Sequence, residues 1–280
     1  MSKRILIPIA VLAVAASACG GTITLPQAPT AGPLIVDKVS VPAPDEGPAR
    51  LTISYGAGEL KLAPGASGLV EGTASYNFDA LKPEIITDGA NVEIKQEDLL
   101  TLVEPTGVKT LWDFQLGAAP MELTVNAGAY EGDFELGGLS LTGLTVKDGA
   151  SSVTLAFSEP NLAEMAVLRY ETGASQVEMT GLGNANFSTM LFNSGAGDYT
   201  LDFSGDLKRD ATITVSTGLS NLNLVIPDDV SANVTVETGL SNIDAGPSWS
   251  QDGNRYSHAG SGPMLTFIVK GGVGNLTLSE

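Results

Sequence analysis

The sequence predicts an all-β protein whose strands form a single-stranded right-handed β-solenoid, or β-helix, with coils of about 22 residues. Three observations lead to this prediction. Apolar and polar residues alternate on both sides of recurring glycines, which is typical of strands with one buried face. The glycines recur at nearly regular intervals, which indicates a structural repeat. Proline and glycine interrupt every long window and helical heptads are absent, so we expect almost no helix.

The first 18 residues have the composition of a secretory signal peptide. Lys3 and Arg4 precede the uncharged, mostly apolar stretch Ile5–Ala18, whose 14 residues are too few to cross a bilayer as a helix. Small residues lead up to Cys19, the only cysteine, and this arrangement resembles the bacterial lipoprotein signal. The resemblance implies cleavage before Cys19, acylation of Cys19 with chains such as palmitate, and an extracytoplasmic domain anchored to the bacterial cell membrane. The alternative is an ordinary signal peptide with an incidental cysteine.

Residues 19–49 are predicted to form a proline-rich tether between the lipidated cysteine and the folded domain. Six prolines lie between residues 26 and 48. Such a density of proline disfavours regular structure and favours an extended, semi-rigid spacer. The alternative is a partly ordered strand around Leu34–Val41.

The repeat begins near residue 50 and continues to residue 280. Apolar residues lie five and three positions before, and four and six positions after, each of seven glycines: Gly56, Gly149, Gly173, Gly195, Gly218, Gly239 and Gly272. Weaker copies are centred on Gly89, with one residue deleted, and on Gly128, with two inserted. One unit cannot bury its apolar face alone, so we expect stacked units with a continuous core. We divide them into an N-terminal β domain, 50–145, and C-terminal repeats, 146–280, continuous with it. The alternative is an antiparallel meander or sandwich, with glycine as a hairpin turn.

A polar residue follows each of these glycines by three positions. These residues are Glu59, Ser152, Gln176, Asp198, Asn221, Asn242 and Asn275. In stacked coils they would lie above one another and could form hydrogen bonds along the stack, as amide ladders do. The alternative is that Asn and Asp occur here only because they favour turns, and the sequence favours this alternative.

Five runs carry the glycines and their alternating flanks most clearly: Leu51–Ala66, Tyr76–Gln96, Val146–Phe157, Tyr170–Phe187 and Phe192–Val230. With these runs the chain resembles the bacterial toast-rack family. That family is similar to the C-terminal domain of cell-wall-active antibiotic response proteins and to adhesin-like β-helix domains. The resemblance covers nearly all of residues 50–280 and implies a β-helical domain, usually with a signal peptide or membrane anchor. It implies no catalytic residue.

Composition and charge exclude several kinds of site. The chain carries 14 Lys and Arg against 32 Asp and Glu, a net charge of −18, which argues against binding nucleic acid through its phosphates. One histidine excludes sites that need two imidazoles. One cysteine excludes disulfides within the chain and cysteine-cluster zinc sites. We therefore predict no cofactor and no metal; the alternative is an isolated calcium site made of oxygen ligands, whose position the sequence does not give.

The sequence also lacks the motifs of common catalytic sites. Neither a Gly-x-Ser-x-Gly elbow nor a Walker A motif occurs, and a Ser–His–Asp triad would have to use His258, the only histidine. The adjacent acids Asp228 and Asp229 follow Pro227. In an extended chain adjacent side chains point in different directions, so we interpret them as a solvated turn rather than as the carboxylate pair of a glycosidase.

A longer interval before Gly272 indicates an inserted loop. The spacing from Gly239 to Gly272 is 33 residues, and the insertion contains aromatic and charged side chains: Trp249, Arg255, Tyr256 and His258. Loops that project from a solenoid often bind ligands, and the aromatic rings could stack on a sugar or a peptide. The alternative, which the sequence favours, is that these rings cap the last coil. His258 is predicted to be a surface histidine.

Taken together, these features predict a lipid-anchored, non-enzymatic module outside the cytoplasmic membrane. Its partners would be the membrane, through the lipid on Cys19, and an envelope glycan or protein, with an adhesin-like or envelope-associated role. A link to cell-envelope stress follows from the family resemblance alone. The alternative function is a carbohydrate-active lyase or hydrolase of the β-helix type. The sequence makes no prediction of the oligomeric state.

Overall fold

The structure is a computed structural model that describes residues 31–45, 47–96, 107–239 and 242–280. The predicted signal peptide, Cys19 and the first part of the predicted tether lie outside these residues, so the lipoprotein assignment stays a prediction. Within the described ranges no helix is both long and apolar enough to cross a membrane.

The described residues form sixteen β-strands, two 3-10 helices and no α-helix. This confirms the all-β class. The 3-10 helices are Asp79–Leu81 and Leu182–Ala185. The strands are β1 (Ile35–Val41), β2 (Ala49–Ala66), β3 (Val70–Tyr76), β4 (Glu84–Asp88), β5 (Asn91–Lys95), β6 (Thr110–Gly117), β7 (Met121–Glu135), β8 (Leu141–Ala156), β9 (Met165–Thr180), β10 (Phe187–Asp202), β11 (Ala211–Val225), β12 (Ser231–Thr238), β13 (Asn242–Ala245), β14 (Trp249–Asp252), β15 (Arg255–His258) and β16 (Met264–Ser279).

Long parallel strands stack in register and form the body of the sheet. Their order is β2, β7, β8, β9, β10, β11 and β16, and each neighbouring pair is parallel. One long strand and the segment that returns from it therefore make one coil, which confirms the solenoid-like architecture over the meander. Among the described strands, antiparallel pairing is confined to shorter ones: β1 with β3, β3 with β6, β4 with β5, and β15 with β12 and β14.

The apolar repeat positions build one core that is shared by all the coils. The residues five positions before the repeat glycines pair from strand to strand, and each is at most 1% exposed. In stack order they are Leu51, Leu123, Leu144, Leu168, Met190, Ile213, Phe267 and Val234. Each buried side chain thus packs on its equivalents above and below, so that no coil needs a core of its own.

Chain order and stack order differ at the C-terminal end. Strand β16 lies between β11 and β12, so the last strand in the sequence fills a place inside the stack. The first half of β16 pairs with β12, and its second half pairs with β13. At the other end β5 and β6 pair with the first and second halves of β2.

Two of the predicted weaker copies differ from the structure. Gly89 lies in the turn of the β4–β5 hairpin with φ 58°, so it is a hairpin glycine and not a member of the stack. Gly128 is a member of the stack, but the predicted two-residue insertion is wrong, because Phe134 pairs with Leu62 without any shift. Gly132 takes the place of the apolar residue four positions after Gly128. The ring of Tyr130 fills the space, since a Cβ on Gly132 would lie 2.8 Å from it.

Part of the predicted tether is also ordered. Strand β1 pairs antiparallel with β3 along its whole length, and the side chains of Val39 and Val41 are buried. For these residues the structure shows the strand that the sequence allowed as the alternative.

Candidate functional site

The repeat glycines form a continuous column along one side of the stack. A Cβ on Gly173 would lie 2.4 Å from the carbonyl oxygen of Gly149, and one on Gly195 would lie 2.5 Å from that of Gly173. The same approach recurs from Gly56 through Gly128 to Gly218, Gly272 and Gly239. Glycine recurs here because the neighbouring backbone leaves no room for a side chain.

An exposed, uncharged ridge runs along this column. In each long strand both the glycine and the residue after it are exposed, which interrupts the inward–outward alternation and marks a bend. The residues that follow the glycines pair in register: Ala57, Ala129, Ala150, Ala174, Ala196, Leu219 and Val273. We call these seven residues, with the glycines before them, the ridge. Leu219 is 65% and Val273 57% exposed.

A ladder of polar side chains borders part of the ridge. The side-chain amide of Asn221 donates to Asp198 at 2.7 Å, and that of Asn275 donates to Asn221 at 2.8 Å. These three residues therefore form the ladder. For them the interpretation as ordinary turn residues, which the sequence favoured, is wrong. Its members are exposed, so the ladder lies on the surface of the stack.

A partly buried hydrogen-bond cluster lies beside the ridge at Asp148. The hydroxyl groups of Tyr170 and Tyr130 donate to the same Asp148 oxygen at 2.7 Å and 3.4 Å. Burial raises the pKa of both phenols far above its usual value, and the nearby negative charge raises it further. These tyrosines stay protonated in the folded protein and act as donors that hold the carboxylate in place.

The predicted binding loop is a β-hairpin, β14–β15, that pairs with β12 at the edge of the sheet. Trp249 is 9% exposed, Tyr256 6% and His258 5%, and only Arg255 of the four predicted residues is exposed. The prediction of a surface histidine is wrong, whereas the burial of the two aromatic rings agrees with the capping role that the sequence favoured. The rings pack onto the core, as the capping alternative described, because the hairpin covers the last coil.

The same end of the sheet gathers three side chains that can bind a metal. A ring nitrogen of His258 and one carboxylate oxygen from each of Asp228 and Glu280 lie within 4.8 Å of one another. Asp228 and Asp229 are exposed on the turn after β11, as the sequence predicted. The sequence did not indicate Glu280 as a site residue, because Glu280 is far from Asp228 along the chain and only the fold brings the two together.

Sequence comparison matches part of the chain to a family model. Residues 31–167 match the model of the N-terminal domain of toast_rack, DUF2154. Over these residues the toast-rack resemblance is confirmed. The matched segment runs from before β1 into β9 and includes three glycines of the column, Gly56, Gly128 and Gly149. No curated protein sequence matches the chain.

Several solved structures are similar to this chain. A proposed cell adhesion protein from Clostridium sporogenes is 18% identical, with 88% of this chain and 99% of that one covered and a TM-score of 0.49. A proposed adhesin from Bacteroides fragilis is 10% identical, with 88% and 97% covered and a TM-score of 0.43. A proposed lipid-binding protein from Parabacteroides distasonis is 10% identical, with 89% and 99% covered and a TM-score of 0.36.

Proposed function

We propose that this protein is a lipid-anchored, extracytoplasmic, non-enzymatic binding module that uses the ridge as an adhesin-like contact surface for another envelope protein. The observation that carries the proposal is the in-register ridge of glycine, alanine, leucine and valine. Cys19 supplies the anchor, and the toast-rack resemblance is the ground for a link to envelope stress.

The chemistry of the ridge suits an extended partner. The chain has a net charge of −18, yet the ridge carries no charge along seven successive long strands. Small side chains on a hydrogen-bonded sheet leave the backbone accessible and lose little conformational entropy when they are covered. The exposed side chains of Leu219 and Val273 add apolar area at one end of the ridge.

A pair of triple variants tests the ridge. The ridge variant carries Ala129→Gln, Ala174→Gln and Leu219→Gln, which place bulky amides on alternate strands without adding charge. The control carries Thr154→Gln, Thr200→Gln and Thr277→Gln, also on alternate strands but away from the ridge. With the protein immobilised, we expect capture of bacterial envelope proteins to fall by about tenfold, or about 1.4 kcal/mol, in the ridge variant alone.

The outcomes separate the alternatives. Equal capture by the two variants would contradict the ridge as the contact surface. Binding to purified peptidoglycan that survives proteolysis of the envelope sample would replace the protein partner with a glycan. Release of soluble sugar fragments from the peptidoglycan would favour the carbohydrate-active alternative.

The anchor has a separate test in the bacterium. Metabolic labelling with a palmitate analogue should label the parent chain and not Cys19→Ala, and only the parent should fractionate with membranes. Membrane fractionation of Cys19→Ala at the level of the parent would contradict anchoring through this residue.

A further inference from the structure

The group of Asp228, His258 and Glu280 comes from three separate parts of the chain. Asp228 lies in the turn between β11 and β12, His258 ends β15, and Glu280 follows β16. One ligand atom from each lies within 4.8 Å of the others, and this is a distinct place from the ridge.

Backbone hydrogen bonds fix the segments that carry the two acids. The Ile226 amide donates to the Ser279 carbonyl oxygen at 2.9 Å, which places Glu280 beside the start of the turn. The Val230 amide donates to the Pro227 carbonyl oxygen at 2.9 Å and closes the turn around Asp228. The pairing of β11 with β16 therefore brings the backbones that carry the two acids side by side.

The histidine is buried and held in one orientation. Its Nδ1 lies 2.8 Å from the Val230 carbonyl oxygen, and since a carbonyl can only accept, Nδ1 carries the proton. The ring of Trp249 packs against it with centroids 5.3 Å apart. In a neutral imidazole this leaves the lone pair on Nε2. A backbone carbonyl that accepts from one ring nitrogen is the common way to orient a histidine for metal ligation by the other.

We propose that Asp228, His258 and Glu280 bind one divalent transition metal ion, with Zn²⁺ as the representative ion. One imidazole nitrogen and two carboxylate oxygens are ligands that Zn²⁺ accepts, and water completes the coordination. Ligand atoms at about 2.0–2.2 Å from the ion lie closer together than 4.8 Å, so the site contracts on binding. The carboxylates of Asp228 and Glu280 are on exposed residues, and their side chains can make this adjustment.

A metal at this place would join three elements at the end of the stack. It would connect the β11–β12 turn, the β14–β15 hairpin and the end of β16. Because the ion would bind the folded arrangement and not the separated segments, it would raise the thermal stability of this end.

Calorimetric titration with ZnCl₂ tests the site. The full chain is used in detergent after removal of metals with a chelator, and it carries Cys19→Ser so that chains without acylation offer no thiol that would itself bind zinc. An excess of Ca²⁺ occupies sites made of oxygen ligands alone. We expect one saturable equivalent of Zn²⁺ and a higher midpoint of thermal unfolding.

Single substitutions identify the ligands. His258→Asn keeps an amide donor for the Val230 carbonyl but removes Nε2, so Zn²⁺ affinity should fall by more than about tenfold. Asp228→Asn and Glu280→Gln should have the same effect. The matched control is Asp229→Asn, which removes an acid from the same turn and should leave the affinity unchanged.

Either of two results would overturn the proposal. One is the absence of a saturable equivalent in the parent chain. The other is binding that persists in Asp228→Asn and Glu280→Gln, since these exposed substitutions leave the core intact even if His258→Asn does not fold. Circular dichroism of each variant without metal establishes that it is folded.

Discussion

At the scale of single residues, the glycine column is set by the close approach of neighbouring backbones. Gly173 is in extended conformation, so an alanine would meet no strain in its backbone angles. Its Cβ would instead lie 2.4 Å from the Gly149 carbonyl oxygen, closer than two such atoms can come. The neighbouring strands β8 and β9 would have to separate locally, and the hydrogen bonds between them would weaken.

We therefore expect Gly173→Ala to lower the free energy of unfolding by about 1–3 kcal/mol, as overpacking in a core does. The control is Gly143→Ala in β8, where a Cβ would come no closer than 3.4 Å to a flexible Glu122 side chain. Urea denaturation followed by circular dichroism compares the two. Equal destabilisation by the two substitutions would show that close backbone contact is not the reason for glycine in the column.

The cluster at Asp148 gives a second prediction at this scale. Tyr170→Phe removes the 2.7 Å hydrogen bond to the carboxylate and should cost about 1.5–3 kcal/mol, the range for hydrogen bonds to charged groups. In Tyr199→Phe the lost hydroxyl donates to the neutral Ala196 carbonyl oxygen, so a cost of about 1 kcal/mol is expected. Denaturation measured on both variants should reproduce this order, and the reverse order would contradict it.

At the scale of elements, β16 is the strand on which the C-terminal end depends. It separates β12 from β11, and it pairs with β12, β13 and β11. Without β16 the strands β12 and β13 lose the strand with which they pair. They should then be unstable, because each coil of a solenoid is stabilised mainly by the adjacent coils.

A chain that ends at residue 263 should therefore keep β2 to β11 folded and lose protection in β12 to β15. Hydrogen exchange resolved by peptide measures both regions in one experiment. Unchanged protection of β12 to β15 would mean that β12 can pair with β11 directly. Loss of protection throughout would mean that the stack folds only as a whole.

The elements that the sequence predicted are those with a repeated pattern. Alternation around each glycine defined the long strands and their register, because burial of one face fixes which residues point inward. The order of the strands could not be predicted. Phe267 pairs with Ile213 on one side and Val234 on the other, and apolar residues at the same position fit equally well in either order.

The candidate metal site was beyond sequence analysis for a related reason. Asp228 and Glu280 are 52 positions apart and meet only because β11 pairs with β16. Tyr256 and His258 did carry a signal, since they alternate with Arg255 and Ser257 as buried and exposed residues of a short strand do. Two alternations are too few to distinguish a strand from a polar loop.

At the scale of the whole molecule, buried tyrosines link the stability of the fold to alkaline pH. Burial raises the pKa of Tyr76 to about 12 and that of four other tyrosines as well: Tyr55, Tyr130, Tyr170 and Tyr199. In the unfolded chain a phenol ionises near pH 10. A raised pKa in the folded state means that stability is complete below about pH 10 and is lost as the pH rises beyond it.

Phenolate absorbance should therefore increase together with the loss of the β signal in circular dichroism, in one alkaline transition. The chain unfolded in urea provides the reference, in which all 6 tyrosines titrate near pH 10. Titration of most phenols near pH 10 with the β signal unchanged would show that these side chains are not buried.

The central claim is that successive coils form one stack in which the ridge residues of adjacent strands lie side by side. Adjacent strands are about 4.8 Å apart, within the Cα separation that a disulfide spans. Cysteine pairs in a Cys19→Ser chain measure this directly by oxidation and gel mobility. Leu219→Cys with Val273→Cys should cross-link although the two positions are 54 apart in the sequence, and Ala196→Cys with Val273→Cys, two strands apart, should not. A chain that cross-links the second pair and not the first would contradict the stack.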